Sequence, residues 1–340
     1  MEPSVTVLTA VRNGARYIAD TVASIRSQSF EDWEHIVVDD ASDDETPGLV
    51  EEMAAKDQRI RLLRREVSGG PYRAANHALR EAAGRFVVII DGDDVAQPDR
   101  IKNQIEFLES HPELRACAAG WQDIDASGTR IGDARMPPSK TSRSLSWALP
   151  VVSGVVHSTM CIRRTTMIEI GGYPELSIAG DYAVWLELAR RNWLGVAPQV
   201  VVEYRKHSSG ISRNFEKLRS ECLSILGPHM TAMTGEVWEP GAIDALWSAG
   251  RWHPVALADG FASFDRWERG WRADPSLSSD DRRVLRRLSA RLRARLLKWN
   301  HRGELGAAVT GLARWVRLQI EPRARTRATL GEPPERTEAS

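Results

Sequence analysis

The sequence predicts an α/β fold, a mainly parallel sheet with flanking helices, and three observations carry that reading. Short apolar runs rich in β-branched residues alternate with helical patterns over the first hundred residues. Two of those runs end abruptly in clustered carboxylates, at Asp39-Asp40 and at Asp91-Gly92-Asp93-Asp94. No apolar run reaches the ~18–20 residues a membrane span needs, so these segments read as elements of a packed core.

The elements follow in order. Val5-Thr6-Val7-Leu8-Thr9-Ala10 is the first strand, and Arg12-Asn13-Gly14 is the polar turn after it. Ile18, Val22 and Ile25 then recur at helical spacing, which predicts a helix over 17–27. Trp33-Glu34-His35-Ile36-Val37-Val38 is the second strand, followed by a helix over 46–56, a short strand Ile60-Arg61-Leu62-Leu63 and a helix over 73–83. Phe86-Val87-Val88-Ile89-Ile90 reads as a buried strand, since strands covered on both faces are continuous apolar runs. Such βαβ alternation implies a parallel sheet with right-handed crossovers. The strand ends then gather on one edge, where open α/β sheets bind their ligands.

Beyond a strand at 116–121, turn chemistry fills Asp125-Ala126-Ser127-Gly128 and Met136-Pro137-Pro138-Ser139. Asp181 opens a helix whose apolar face is Tyr182, Trp185, Leu186 and Ala189. Past residue 213 the chain becomes helical and Trp-rich, with Trp238, Trp247, Trp252, Trp267, Trp271, Trp299 and Trp315. The expected organisation is therefore a catalytic-type α/β domain at 1–213, a helical region at 214–330 and a disordered tail at 331–340.

Lys plus Arg equals Asp plus Glu over the 340 residues, so net charge gives no sign of a nucleic-acid partner. The balance is uneven, however. Between 281 and 328 fourteen Arg and Lys face Asp281, Glu304 and Glu321, a local excess of about +11. Leu285, Leu288, Leu292 and Leu296 run between these arginines at helical spacing. Two readings stand: a helical lid with a solvated basic face, and a peripheral contact with an anionic membrane surface. No nucleic-acid-binding motif accompanies the charge. Cys117, Cys161 and Cys222 are sparse and lack metal-ligand spacing. With no signal-peptide pattern at the start, the expected place is the cytoplasm, with the inner membrane face as the site of any peripheral contact.

Three carboxylates within four positions at a strand end repel one another unless a cation compensates them. Mg²⁺ or Mn²⁺ would do so and still keep sites for phosphate oxygens. The plain alternative is a solvated acidic turn.

The order of motifs decides between these. Val7-Leu8-Thr9-Ala10-Val11-Arg12-Asn13, Val37-Val38-Asp39-Asp40-Ala41-Ser42, Gly69-Gly70-Pro71-Tyr72-Arg73-Ala74-Ala75-Asn76 and Asp91-Gly92-Asp93-Asp94 resemble the family 2 glycosyltransferases of GT-A fold. His157-Ser158-Thr159-Met160, Gly171-Gly172-Tyr173-Pro174, Gly180-Asp181-Tyr182 and Tyr204-Arg205-Lys206-His207 continue the resemblance, which covers roughly residues 4–213. One departure is Gly180, where the family often has Glu. Another is the basic placement near Arg73.

The resemblance implies an inverting, metal-dependent transfer of a sugar from a nucleotide-sugar, expected to be UDP-linked, to an acceptor hydroxyl on a saccharide or lipid-linked carrier. It makes Asp181 the general base, with a helix N-cap as the bland alternative. It makes Asp93 the metal ligand, with His207 as an additional one. It gives donor contacts to Thr9, Ala10, Arg12, Arg73, Asn76, Asp91, Gly92 and Arg205. Asp40 resembles the carboxylate that accepts a uracil N–H, and Asp39 is the alternate, because a one-residue shift along a strand swaps faces. The stretch 125–139 would be an acceptor-side loop. Two other classes remain for comparison: a sugar nucleotidyltransferase, against which the turn after the first strand is too short, and a non-catalytic sugar-binding scaffold, which would not need both Asp93 and Asp181.

Overall fold

The computed structural model describes residues 2–152, 154–208, 210, 214–251 and 257–300. The expected tail at 331–340 and the part of the basic stretch beyond 300 lie outside the described residues.

Eight strands form one sheet. They are β1 (Val5–Val11), β2 (Trp33–Asp39), β3 (Ile60–Arg64), β4 (Phe86–Ile89), β5 (Val95–Ala96), β6 (Ala116–Ile124), β7 (Cys161–Arg163) and β8 (Leu194–Arg205). Their order is β3-β2-β1-β4-β7-β6-β8-β5. β1 pairs in parallel with β2 and β4, and β2 with β3. β7 runs antiparallel to both β4 and β6, while β6 and β8 are parallel and β5 is antiparallel to β8. All the strands except β5 and β7 thus share one direction. The chain winds outward from β1 to β3 and then crosses back to β4 on the other side of β1. That reversal is the switch point beside which α/β sheets open a ligand crevice.

Strand alternation sorts side chains onto two faces. Val5, Val7 and Val11 of β1, with Phe86, Val88 and Ile90, pack against α1 (Ile18–Arg26), α2 (Thr46–Lys56) and α4 (Arg100–Ser110). Leu8, Ile36, Val38, Val87 and Ile89 pack on the other face against α3 (Pro71–Glu81), α5 (Ser142–Ala148) and α7 (Gly180–Arg190). The short α6 (Arg164–Glu169) follows β7. Ile18, Val22 and Ile25 are fully buried. Burial of side chains of that size contributes about 1.5–3 kcal/mol each. The helix expected over 73–83 starts two residues earlier, because Pro71 suits a first helical turn, where its missing N–H costs nothing.

The chain continues into α8 (Phe215–Thr234), α9 (Pro240–Arg251), α10 (Leu257–Ala273) and α11 (Ser279–Asn300). Trp247, Phe264, Trp267, Trp271, Leu285 and Leu292 of these helices, with Trp238 just before α9, join the same apolar cluster as α3, α5 and α7. The polar contacts repeat that junction. Asp274 accepts from Arg143 Nε at 2.7 Å and from Trp147 Nε1 at 2.8 Å, both on α5. The loop between β6 and α5 folds back on β6 through paired backbone bonds between Trp121 and Arg135. Among the described residues no helix is long and apolar enough to cross a membrane.

Candidate active site

The C-terminal ends of β1, β2 and β4 meet on one edge, as the parallel pairing requires. Three carboxylates from the turn after β4 stand there in different surroundings. Asp94 is fully buried. It accepts from the Arg205 backbone N–H at 2.8 Å and from the Ser158 hydroxyl, so it shapes the turn. The side chains of Asp91 and Asp93 are 40% and 32% exposed and open into the cleft. Asp91 Oδ1 lies 2.9 Å from His157 Nδ1. Asp93 Oδ2 lies 2.7 Å from His207 Nε2. Burial and repulsion from Asp91 push Asp93 above the usual carboxylate range, and burial with both neighbours raises Asp94 well above it. Burial also works against an ionised Asp91, but the adjacent His157 outweighs it and leaves Asp91 low. His157 moves the other way: burial lowers it, and Asp91 more than compensates.

A chain of rings leads from this cluster to Asp181. His157 Nε2 is 2.9 Å from the Tyr173 hydroxyl. Tyr173 stacks on Tyr72, with centroids 5.4 Å apart. Tyr72 Oη reaches Asp181 Oδ1 at 2.9 Å and the Ile178 carbonyl at 2.7 Å. Asp181, in the first turn of α7, also accepts from the Tyr182 N–H at 2.7 Å. Burial raises Asp181 above its ordinary range, against the opposing pull of His157 and these donors. A raised carboxylate lies closer to the pH at which a general base is useful.

Gly180 is explained by the same contacts. A Cβ there would sit 2.6 Å from Tyr72 Cδ2. The space that a larger residue before Asp181 would need is filled by the Tyr72 ring.

The two aspartates at the end of β2 have separate surroundings. Asp40 accepts from the Gly69 N–H at 3.0 Å, the Gly70 N–H at 2.8 Å and the Ser68 hydroxyl at 2.7 Å, and Arg65 Nε is 3.2 Å away. Those donors fill its lone pairs and fold the loop 65–70 onto it. Asp39 accepts from the Ser42 N–H at 3.1 Å, and its other oxygen is buried with no partner. Buried polar atoms are normally satisfied, so this oxygen is an exception that Asp40 does not share.

The remaining residues singled out in the sequence divide in the same way. Thr9 is fully buried and its hydroxyl meets His35 Nε2 at 3.0 Å. Ala10 is half-buried beside it, and Arg12 reaches the Ser68 hydroxyl at 3.3 Å at the cleft rim. Gly92 lies against Val11, whose Cγ2 would be 2.9 Å from an added Cβ. Arg73 turns to Glu175 at 3.0 Å, and Asn76 clamps both backbone groups of Tyr173, so these two side chains hold the 172–175 segment instead of reaching the carboxylates themselves. Arg205 is nearly buried; it donates to the Asp93 carbonyl at 2.7 Å and pairs with Asp20. Sequence reading missed Tyr72, Tyr173, Ser158 and Arg65. The two tyrosines stood within quoted motifs, but their hydroxyls find partners far along the chain.

Among the described residues no three His, Cys, Asp or Glu side chains converge on a metal position. Asp93 and His207 do converge. Mg²⁺ and Mn²⁺ are commonly held by one or two protein ligands together with substrate phosphates, and a carboxylate oxygen with an imidazole nitrogen suits Mn²⁺. The donor set therefore fits a cation shared with a bound diphosphate.

Carboxylates at the switch-point edge of such a sheet suit a phosphate-bearing ligand, and comparison with known proteins identifies the class. Residues 6–171 match the family model Glycosyl transferase family 2. A Bacillus subtilis protein carrying the name teichuronic acid biosynthesis glycosyltransferase TuaG is 30% identical over 217 residues, covering 63% of this chain and 83% of its own. A second, named glycosyltransferase EpsE and also from Bacillus subtilis, is 29% identical over 216 residues, 62% of this chain and 76% of its own. Staphylococcus aureus TarS 1–349, solved with UDP-GlcNAc, superposes with a TM-score of 0.57 at 16% identity over 94% of this chain and 93% of that one. Against the longer TarS chain the match spans 53% of its length. The mannosyltransferase PcManGT of Pyrobaculum calidifontis, solved with GDP-Man and Mn²⁺, gives 0.52 at 21% identity, covering 92% and 88% of the two chains. The chain belongs to glycosyl transferase family 2. It is a glycosyltransferase of GT-A fold.

Proposed function

We propose that this protein transfers a sugar from a UDP-sugar to an acceptor hydroxyl, with inversion and with a divalent cation, in cell-surface polysaccharide or glycolipid synthesis. The observation that carries this is the placing of two stations about one sheet edge, Asp93 with His207 and Asp181 with Tyr72, with Asp91, His157 and Tyr173 leading from the turn of the first to the ring of the second. A TuaG relative and a TarS neighbour bound to UDP-GlcNAc support the substrate class.

In this reading Asp93 and His207 hold Mn²⁺ or Mg²⁺, which when bound neutralises charge on the leaving diphosphate. The vacant oxygen of Asp39 accepts the base N–H, while Asp40 keeps the loop 65–70 in place. Asp181 takes the proton from the acceptor hydroxyl as that oxygen attacks the anomeric carbon. Tyr72 fixes the direction of its carboxylate. One direct displacement with one base inverts the anomeric centre. Thermal shift with UDP-GlcNAc, UDP-glucose, UDP-galactose and GDP-mannose, each with and without Mn²⁺, tests the donor. Asp181→Asn should lower the transfer rate ~10²–10⁴-fold, the usual scale for a positioned base, with unchanged donor affinity. Full activity in excess chelator would defeat the metal assignment, and retention of anomeric configuration by NMR would defeat the inverting one.

A peripheral membrane contact fits the outer face of α11. Leu285, Ser289 and Leu292 are buried, while Arg283, Arg286, Arg287 and Arg291 are exposed. An arginine stripe on a packed helix suits anionic lipid, and a lipid-linked acceptor would be found there. Arg286→Glu with Arg287→Glu and Arg291→Glu should abolish salt-sensitive sedimentation with phosphatidylglycerol vesicles and leave the fold intact. Wild-type protein that ignores such vesicles would leave α11 as a lid with a solvated face.

A further inference from the structure

We propose that Glu221, on α8 beyond the family-matched residues, is a positioning residue for Asp181, strapping the segment that leads into α7. The inference rests on the reading of Asp181 as the base. The first N–H groups of a helix have no partner within it. The residue before α7, Ala179, supplies no side-chain cap. Just upstream, the N–H groups of Ser177 and Ile178 and that of the N-cap residue Ala179 converge on the Glu221 carboxylate, at 2.9, 2.8 and 3.0 Å. Three successive donors on one carboxylate fix the backbone of that segment, and Asp181 follows two residues later.

Tyr72 grips the same segment from the opposite side through the Ile178 carbonyl and the Asp181 carboxylate. The base therefore sits between two restraints, one from α3 and one from the helical layer. Burial works against an ionised Glu221, but the backbone donors outweigh it and leave its carboxyl below the ordinary range. It stays charged at neutral pH, and charge-assisted hydrogen bonds are the strong ones. Glu221 is half-buried. Replacing it removes a restraint without opening a core cavity.

Glu221→Gln keeps the shape but sets an NH₂ against a backbone N–H. The test uses the full chain with Mn²⁺. The substrate is the UDP-sugar that gives the largest thermal shift, water serves as acceptor and UDP release is the signal. We expect kcat to fall ~10–100-fold, the scale on which small misplacements act, with donor KM within about twofold of wild type. In an Asp181→Asn background the Gln change should cost nothing further, because a residue acting through the base has nothing left to position. Amide exchange should quicken across 177–182 and stay unchanged in β1 and β4, an outcome that needs no turnover. Glu221→Asp, which keeps the charge on a shorter arm, should fall between. Equal losses in both backgrounds, unchanged exchange, or a lower Tm with normal kcat per folded molecule would each overturn the proposal. Near-normal turnover by Asp181→Asn alone would instead remove the base reading, and this proposal with it.

Discussion

Asp93 and Gly180 show how much a single position can decide. Asp93 is a third exposed, and its carboxylate meets the ring of His207. Asp93→Ala should thus leave the melting curve of the unliganded protein nearly unchanged and erase the part of UDP binding that depends on Mn²⁺. Calorimetric titration of UDP with and without the cation checks this; an undiminished Mn²⁺ effect would move the ligand role elsewhere. Gly180 is constrained by close approach rather than by an unusual backbone angle. Its added Cβ would lie within 2.6–2.8 Å of three atoms of the Tyr72 ring. Gly180→Ala must shift that ring, and overpacking of this kind costs about 1–3 kcal/mol. Because Tyr72 also holds Asp181, turnover should drop more than stability does. Urea melts and rates measured on the same samples separate the two, and a neutral Ala variant would show that the ring yields freely.

At the scale of elements, the junction between α5 and the C-terminal helices is a polar knot inside an apolar contact. Asp274 is 5% exposed and serves Arg143, Trp147 and the Ser276 N–H. Asp274→Ala leaves a buried indole N–H and a guanidinium unpaired. The expected loss is about 1–3 kcal/mol, the usual cost of leaving a buried donor unsatisfied, read as a lower Tm. Loss below ~1 kcal/mol would mean water replaces the carboxylate. This junction was not legible beforehand, since residues 143 and 274 are far apart in sequence and nothing local marks them as partners. The elements that could be read were those with a distinct apolar pattern. β1, β2 and β4 are mostly apolar runs buried along almost their whole length, and α1 and α2 fall where apolar spacing puts them. β5 and β7 span two and three residues, too few for any period to register. The clustering of carboxylates at the ends of β2 and β4 was legible because they directly follow apolar runs in the sequence. The division of labour between Asp39 and Asp40 was not, because it depends on where the loop 65–70 folds. Nor was Glu221, whose partners are backbone groups that leave no mark in side-chain pattern.

For the molecule as a whole, two buried histidines contribute to how stability answers to acid. Burial lowers His229 to about 4 and His35 to about 3, from an ordinary 6.5. His229 Nε2 donates to the Ser146 carbonyl at 3.0 Å, with Arg190, Arg143 and Glu187 acting on it from the surrounding helices. Between those values and 6.5 the unfolded chain binds more protons than the folded one. Stability therefore falls as pH drops through that window, by up to about 1.4 kcal/mol per pH unit for each histidine, and the two contribute no slope above it. His229→Gln keeps an N–H for Ser146 and should flatten the dependence between pH 6.5 and 4.5. Equilibrium unfolding across that range checks it, and an unaltered slope would mean the imidazole is hydrated in the native state. The placement of the tryptophans has an optical consequence. Trp147, Trp247, Trp267 and Trp271 are fully buried, all in the layer where α5 meets the C-terminal helices. Trp33 and Trp193 lie at the starts of their strands, on the edge away from the carboxylates, whose own rings are tyrosine and histidine. Emission from those four buried tryptophans will thus follow the loosening of the helical layer.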